Sequence, residues 1–185
     1  MMKQEQSRPV KAPEVIDLDR IRLRRPKLSD AAAMFECGSD PDVARYADWP
    51  IRTSIDSTIE RIHRLDEQWR SGDEFYWVIT LPDVDRAIGG VSCCVSQRSA
   101  EFGFLVNRRC WGKGYATEAA TAIVNWALSI PSVCRVWATC DTENMASARV
   151  LEKAGLSPEG TLRRSIVRPN LSDEPRDALI YARVR

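Results

Sequence analysis

The chain has one histidine, His63, and its six cysteines, Cys37, Cys93, Cys94, Cys110, Cys134 and Cys140, show no C-x-x-C spacing. Structural zinc takes four Cys or His ligands at short spacings, so no metal is expected. Scattered thiols in apolar runs read as reduced, small hydrophobes rather than as a disulfide framework. There is no apolar run of about 18 residues, the length a membrane helix needs. The opening MMKQEQSRPVKAPE also lacks the apolar stretch of a secretory signal. A cytoplasmic protein with no membrane partner is therefore expected. Charge of one sign is missing too: 27 Lys and Arg stand against 26 Asp and Glu, a net +1, which gives no reason to expect a nucleic-acid partner. Internal repeats and low-complexity tracts are absent.

What is present suits one domain: 185 residues, 44% hydrophobic and 29% charged. Residues 1–14, polar with Pro9 and Pro13, are expected to be a mobile arm, and 15–185 the domain. Ile16 to Arg24 alternates like an edge strand. Leu28-Ser29-Asp30 supplies an N-cap for a short helix, Ala31 to Cys37, and Ser39 to Arg52 reads as irregular. Thr53 or Ser54 opens a longer helix whose stripe is Ile55, Ile59, Ile62, Leu65 and Trp69, closed by Gly72. Phe75 to Thr80, Arg86 to Ser96 and the strand ending at Val106 form a meander, with Gly89-Gly90 marking a bulge. A fifth main strand, Val133 to Thr139, is placed parallel to the fourth by the intervening helix. Asp141 or Thr142 caps a helix from Asn144 to Ala154. Leu156 to Arg164 and Asp177 to Val184 close the chain as a hairpin around the loop Pro169 to Pro175.

The stretch from Phe102 to Ala127 carries the chemistry. A strand, Glu101 to Val106, leads through Arg109-Cys110-Trp111-Gly112-Lys113-Gly114 into a helix starting near Tyr115, with one stripe through Ala116, Ala119, Ala120, Ile123, Val124 and Ala127. Glycines at a helix entrance leave free backbone N–H groups at the positive end of the helix dipole, a place for phosphate. Arg109 and Lys113 add charge. Neither the Walker A pattern nor the dinucleotide fingerprint fits, because no Gly-Lys-Ser/Thr follows and no third glycine completes the pattern. An isolated G-x-G is read equally well as a turn entering a core helix.

Arg109-x-x-Gly112-x-Gly114-Tyr115-Ala116-Thr117-Glu118-Ala119 resembles the acetyl-CoA loop of the GNAT N-acetyltransferases. Asn144-x-x-Ser147-x-Arg149-Val150-Leu151-Glu152-Lys153-Ala154-Gly155-Leu156 is similar to the Asn/Ser helix of their RimJ/RimL-type branch. With Arg20 to Arg24 at the start and Arg176-Asp177-x-x-x-x-Tyr181 near the end, the resemblance spans roughly 18–184. It implies an α+β fold in a single GNAT-like domain: a twisted, mostly antiparallel sheet of about 6–7 strands, a splayed parallel central pair (strands 4 and 5), and about four flanking helices.

The resemblance also implies acetyl-CoA as co-substrate, an amine acceptor (a protein N-terminus or a small molecule), and direct attack within a ternary complex. Leu105 and Val106 would lend backbone groups to the pantetheine arm, and Arg109, Cys110, Trp111, Gly112, Lys113, Gly114, Tyr115 and Ala116 would hold the pyrophosphate. Asn144, toward the pantetheine amide or as a cap of its own helix, and Ser147 complete the cofactor set. Glu101 is the candidate base, with a solvated strand-end charge as its other reading. Ser147 is the candidate acid, because Leu151 stands where many members present a tyrosine; an ordinary helix serine is its alternative. Cys110, beside Arg109, is read as loop filler with some thiolate character. Tyr46 and Trp49 are candidate walls of an acceptor groove or plugs of the core edge. The competing functions are a non-catalytic acyl-CoA binding or sensing protein and, more distantly, a phosphate-loop nucleotide binder. A monomer and a homodimer are both compatible with the sequence.

Overall fold

The computed structural model describes residues 10–185. Most of the expected arm lies outside them, and its described end runs along the domain, with the Pro13 carbonyl accepting from the Trp77 indole N–H at 2.8 Å. The first strand, β1 (Val15–Asp17), pairs antiparallel with β2 (Arg22–Arg24). The alternating segment is therefore a hairpin and not the single edge strand expected. Its turn is fixed by the Leu18 N–H donating to the Ile21 carbonyl at 3.0 Å.

Three helices follow: α1 (Ala31–Ser39), α2 (Pro41–Ala44) and α3 (Ile55–Ser71). Asp30 stands at the N-cap of α1 but does not cap it with its side chain. Its carboxylate is taken by Arg24 and by the Lys27 N–H. The single turn of α2 lies in the stretch expected to be irregular. Asp40 starts it by accepting from the Asp42 N–H at 2.9 Å, with Pro41 at the first helical position, where its missing N–H costs nothing. In α3 the Ser54 hydroxyl accepts from the Asp56 N–H, and Gly72, at φ +81°, ends the helix.

The remaining elements are β3 (Phe75–Thr80), β4 (Ala87–Ser96), β5 (Ser99–Val106), α4 (Tyr115–Ser129), β6 (Arg135–Asp141), α5 (Met145–Lys153), β7 (Ser157–Arg168) and β8 (Ser172–Val184). All eight strands form one mixed sheet in the order β1-β2-β3-β4-β5-β6-β8-β7. Splitting the first segment makes eight strands where six or seven are expected, and α2 makes a fifth helix among the described residues. The expected strands 4 and 5 are β5 and β6, the parallel pair. The β3–β4 register shift leaves Ile88 as the extra residue, one place before Gly89. The final hairpin is longer than expected, with its tip at 169–171.

Alternation along β3 puts Phe75, Trp77 and Ile79 into one cluster with Ala119, Ala120, Ile123, Val124 and Ala127 of α4. Val78 turns the other way, toward Met34 of α1 with Ile62 and Leu65 of α3. The three alanines let α4 lie close on the sheet, and all five of these α4 residues are fully buried. Trp69 and Trp126 meet Phe75 and Trp77 edge-on at 5.0–5.6 Å, arrangements worth about 0.5–1.5 kcal/mol per pair beyond burial.

Candidate active site

The parallel strands β5 and β6 pair at only three positions, Ser99 with Arg135, Ala100 with Val136 and Glu101 with Trp137. Past these the strands part. β5 continues to Val106 against β4, and β6 to Asp141 against β8. The direction of the β5 backbone groups is set at both ends: the Arg98 carbonyl accepts from Cys134 N–H on the β6 side at 2.9 Å, and the Asn107 N–H donates to Ile88 on the β4 side at 2.8 Å. Peptide groups alternate along a strand, so Phe104 and Val106 turn theirs into the gap, and Leu105 turns its own toward β4. Gly89 on β4 reflects this, since a Cβ there would stand 2.4 Å from the Leu105 carbonyl oxygen. Of the expected pair, Leu105 therefore gives way to Phe104. The Val106 carbonyl accepts from the Trp111 indole at 2.7 Å, which leaves the Val106 N–H.

Beyond β5 the loop is pinned by Asn107, whose side chain accepts from Arg109 N–H at 3.0 Å. Gly112 (φ +72°) and Gly114 (φ +83°) both take the left-handed region that side chains disfavour. The consequence is a run of six amides, 112–117, with no acceptor among the described residues; the first backbone bond of α4 is Glu118 N–H to Gly114 carbonyl at 3.0 Å. Gly112, Lys113 and Gly114 are exposed, as is Trp111, while Tyr115 and Ala116 are half-buried. Cys110, half-buried, packs against the core beside them. Arg109 is largely exposed and only 3.6 Å from Glu36, whereas Arg108 is held by Asp40 and Asp42.

Arg20 was not among the expected site residues. It crosses from the β1–β2 turn to the head of α4, bonding Glu118 through its N–H and Nε, and the Lys113 carbonyl through a terminal nitrogen at 2.9 Å. Nothing local in the sequence signals so distant a pair.

On the far bank, β6 hands over to α5. Asn144 itself caps that helix, accepting from the Ser147 N–H at 3.1 Å. Neither Asp141 nor Thr142, the expected alternatives, is the cap; Asp141 receives two bonds from Arg176, at 2.7 and 3.1 Å, and one from Glu143 N–H. Ser147 is half-buried; Leu151, one turn on, is 1% exposed in the core and belongs to packing.

Glu101 sits at the last paired position, the vertex of the gap. Burial of its carboxyl, with Asp48 adding like charge, pushes its pKa above the usual carboxylate range, although the residue as a whole is exposed. Tyr46 and Trp49 are half-buried, each with an arginine over its ring, Arg45 at 5.4 Å and Arg52 at 5.2 Å. The loop carrying them is clamped by the final hairpin, where Asn170 bonds the Ala44 and Trp49 carbonyls and the Ile51 N–H. Burial pushes the thiols of Cys94 and Cys140 up to about 11, and His63 lies exposed on α3. No group of His, Cys, Asp and Glu among the described residues could hold a metal, and no helix there is long and apolar enough to cross a membrane.

Comparison with known proteins follows the same geometry. A family model described as acetyltransferase (GNAT) domain matches residues 20–157. YoaA of Bacillus subtilis, described as an uncharacterized N-acetyltransferase, is 29% identical over 92% of this chain and 97% of its own. YnaD of the same organism, described likewise, is 30% identical over 84% of this chain and 89% of its own. A GNAT-family acetyltransferase structure from Bacillus anthracis superposes with a TM-score of 0.80 at 26% identity, covering 92% of this chain and 98% of that one. The structure of RimL, a ribosomal L7/L12 alpha-N-protein acetyltransferase in complex with coenzyme A, gives 0.81 at 19% identity over 92% and 98%, a likeness of fold.

Proposed function

The chain belongs to the acetyltransferase (GNAT) family and is an acetyltransferase, and from that premise we propose that it moves acetyl from acetyl-CoA to a primary amine by direct attack in a ternary complex. The observation that carries the reading is the run of six free amides at the head of α4, beside a sheet already parted. Amides 112–117 suit a diphosphate. Lys113 and Arg109 add positive charge around it, and Arg20 offsets the Glu118 carboxylate. The peptide group of Phe104 and the Val106 N–H suit the amides of a pantetheine arm lying in the gap as an added strand. Asn144 and Ser147, at the head of α5 just past β6, and the Trp111 ring, bonded to Val106, would complete the cofactor set.

Acetyl-CoA supplies a thioester whose carbonyl carbon accepts the amine. Glu101, its pKa raised by burial and by Asp48, takes the proton of the incoming ammonium, directly or through water. A gap-facing N–H of β5 polarises the carbonyl as an oxyanion donor does. As the C–N bond forms and the C–S bond breaks, the nitrogen gives its second proton to water, the Ser147 hydroxyl gives the departing sulfur a proton, and water returns one to Ser147. Tyr46 and Trp49 form a wall for the acceptor. A route through an acetyl-cysteine is disfavoured by the raised thiols of Cys94 and Cys140 and by the lack of a histidine beside them.

Release of free CoA from acetyl-CoA over a panel of peptide amino termini and small amines, with mass spectrometry of the products, tests the reading. Acetylated product is expected. Tight CoA binding with no thiol release would instead mark a sensor, for which Leu151 in place of a tyrosine is the one supporting feature.

A further inference from the structure

Two arginines are buried to the same depth, Arg24 and Arg168, each 6% exposed, yet their surroundings are opposite. Arg24 holds Asp30 with both terminal nitrogens, at 2.8 and 2.9 Å, and Asp85 with Nε at 2.6 Å. Arg168 makes no ion pair among the described residues, and its Nε is buried without any hydrogen-bond partner. The nearest acids do not answer it: Asp141 is occupied by Arg176, and Asp48, on the opposing loop, stands outside ion-pair contact. A guanidinium stays charged at any working pH, so a buried one without a partner is costly unless something else meets it.

Its place says what that is. Arg168 ends β7, opposite Ser172, at the root of the tip whose Asn170 clamps the loop carrying Tyr46 and Trp49. It lies by Cys140 and Asp141, the end of β6 beyond the last β5–β6 pair, and Asp48 stands near both it and Glu101. Nε is sealed in, but the two terminal nitrogens are not, and as a planar pair they match the two oxygens of a carboxylate.

Resting on the acetyl-transfer reading above, we propose that Arg168 anchors a carboxylate of the acceptor, so that the substrate class is amines carrying a carboxylate a few bonds from the nitrogen presented to Glu101. A free amino acid and a peptide with an acidic residue near its amino terminus share this chemistry.

The test uses the full chain and matched pairs: amino acids against their carboxamides, and short peptides with Asp or Glu against the same peptides with Asn or Gln. In at least one pair kcat/KM is expected to favour the carboxylate about tenfold or more, the scale of a hydrogen bond to a charged group. Arg168→Gln should erase that preference while leaving the amide member and the KM for acetyl-CoA within about twofold. The pair showing it tells free amino acid from peptide. Equal turnover within every pair, or a preference surviving in the variant, overturns the proposal and leaves acetyl transfer standing. No CoA release from any member overturns both. Independently of the variant, carboxylate members should raise the wild-type Tm and their amides should not; equal shifts would likewise overturn it.

Discussion

Arg20 and Glu118, 98 positions apart in sequence, close on each other at the entrance of α4, the Arg20 N–H donating to one carboxylate oxygen at 3.0 Å and Nε to the other at 2.8 Å. The acid suits the helix dipole but would repel a diphosphate, and the guanidinium cancels it. Arg20→Ala is therefore expected to weaken CoA binding by roughly three- to tenfold by calorimetry, the scale of one charge near a helix end. Glu118→Gln should keep that affinity and cost no more than about 1 kcal/mol in denaturant unfolding, because the Arg20 side chain is 54% exposed.

Glu101→Gln should separate activity from stability. A carboxyl raised by burial is favoured in its protonated form, so its contribution to stability is complete below the unfolded pKa and lost as pH rises through the folded one. At pH about 7 the ionised Glu101 opposes folding, and the amide is expected to raise Tm; below pH about 4 the difference should vanish. In the wild type kcat/KM should climb with pH through the raised value, and the variant should lose that climb along with most of its rate.

Gly89 is where β4 comes closest to β5. Its added Cβ would meet the Leu105 carbonyl at 2.4 Å and Val106 Cα at 2.9 Å, both backbone, so β5 must shift at the bank of the gap. Gly89→Ala should cost about 1–3 kcal/mol in unfolding and raise the KM for acetyl-CoA. An unchanged KM would show that the position of β5 matters little to the ligand.

Asn144 and Ser147 should respond differently. Asn144→Ala removes the α5 cap, about 1 kcal/mol of stability. Ser147→Ala keeps the cap, which uses only the Ser147 N–H, and is expected to lower kcat with Tm unchanged. A fall in Tm without a fall in kcat would return Ser147 to an ordinary helix position.

Local signals were legible where local physics decides. Phe75–Thr80 is the strand its β-branched and aromatic run predicts, Ser54 and Gly72 bound α3, and the two glycines open α4 at Tyr115. Where partners lie far off, the pattern misled. Asp30 and Asp141 look like caps, yet arginines claim both carboxylates. Ile16 and Leu18, then Ile21 and Leu23, each alternate, and the chain turns at the three-residue step between the two pairs. Leu105 and Phe104 are equally apolar, and only the register against β4 decides which one faces the gap. Arg168 is one arginine among many in the sequence, distinguished only by the burial and lack of partners that folding gives it.

The three residue pairs joining β5 to β6 divide the sheet into a wing of five strands and a wing of three, sharing a short spine at Ser99–Glu101, with α4 resting on α5 as a second bearing. A molecule stitched to both wings would fix the angle between them, and its departure would free it. Amides along the inner margins, at Phe104 and Val106, should then exchange hydrogen quickly in the empty protein and slowly in the filled one, making the seam itself a gauge of occupancy.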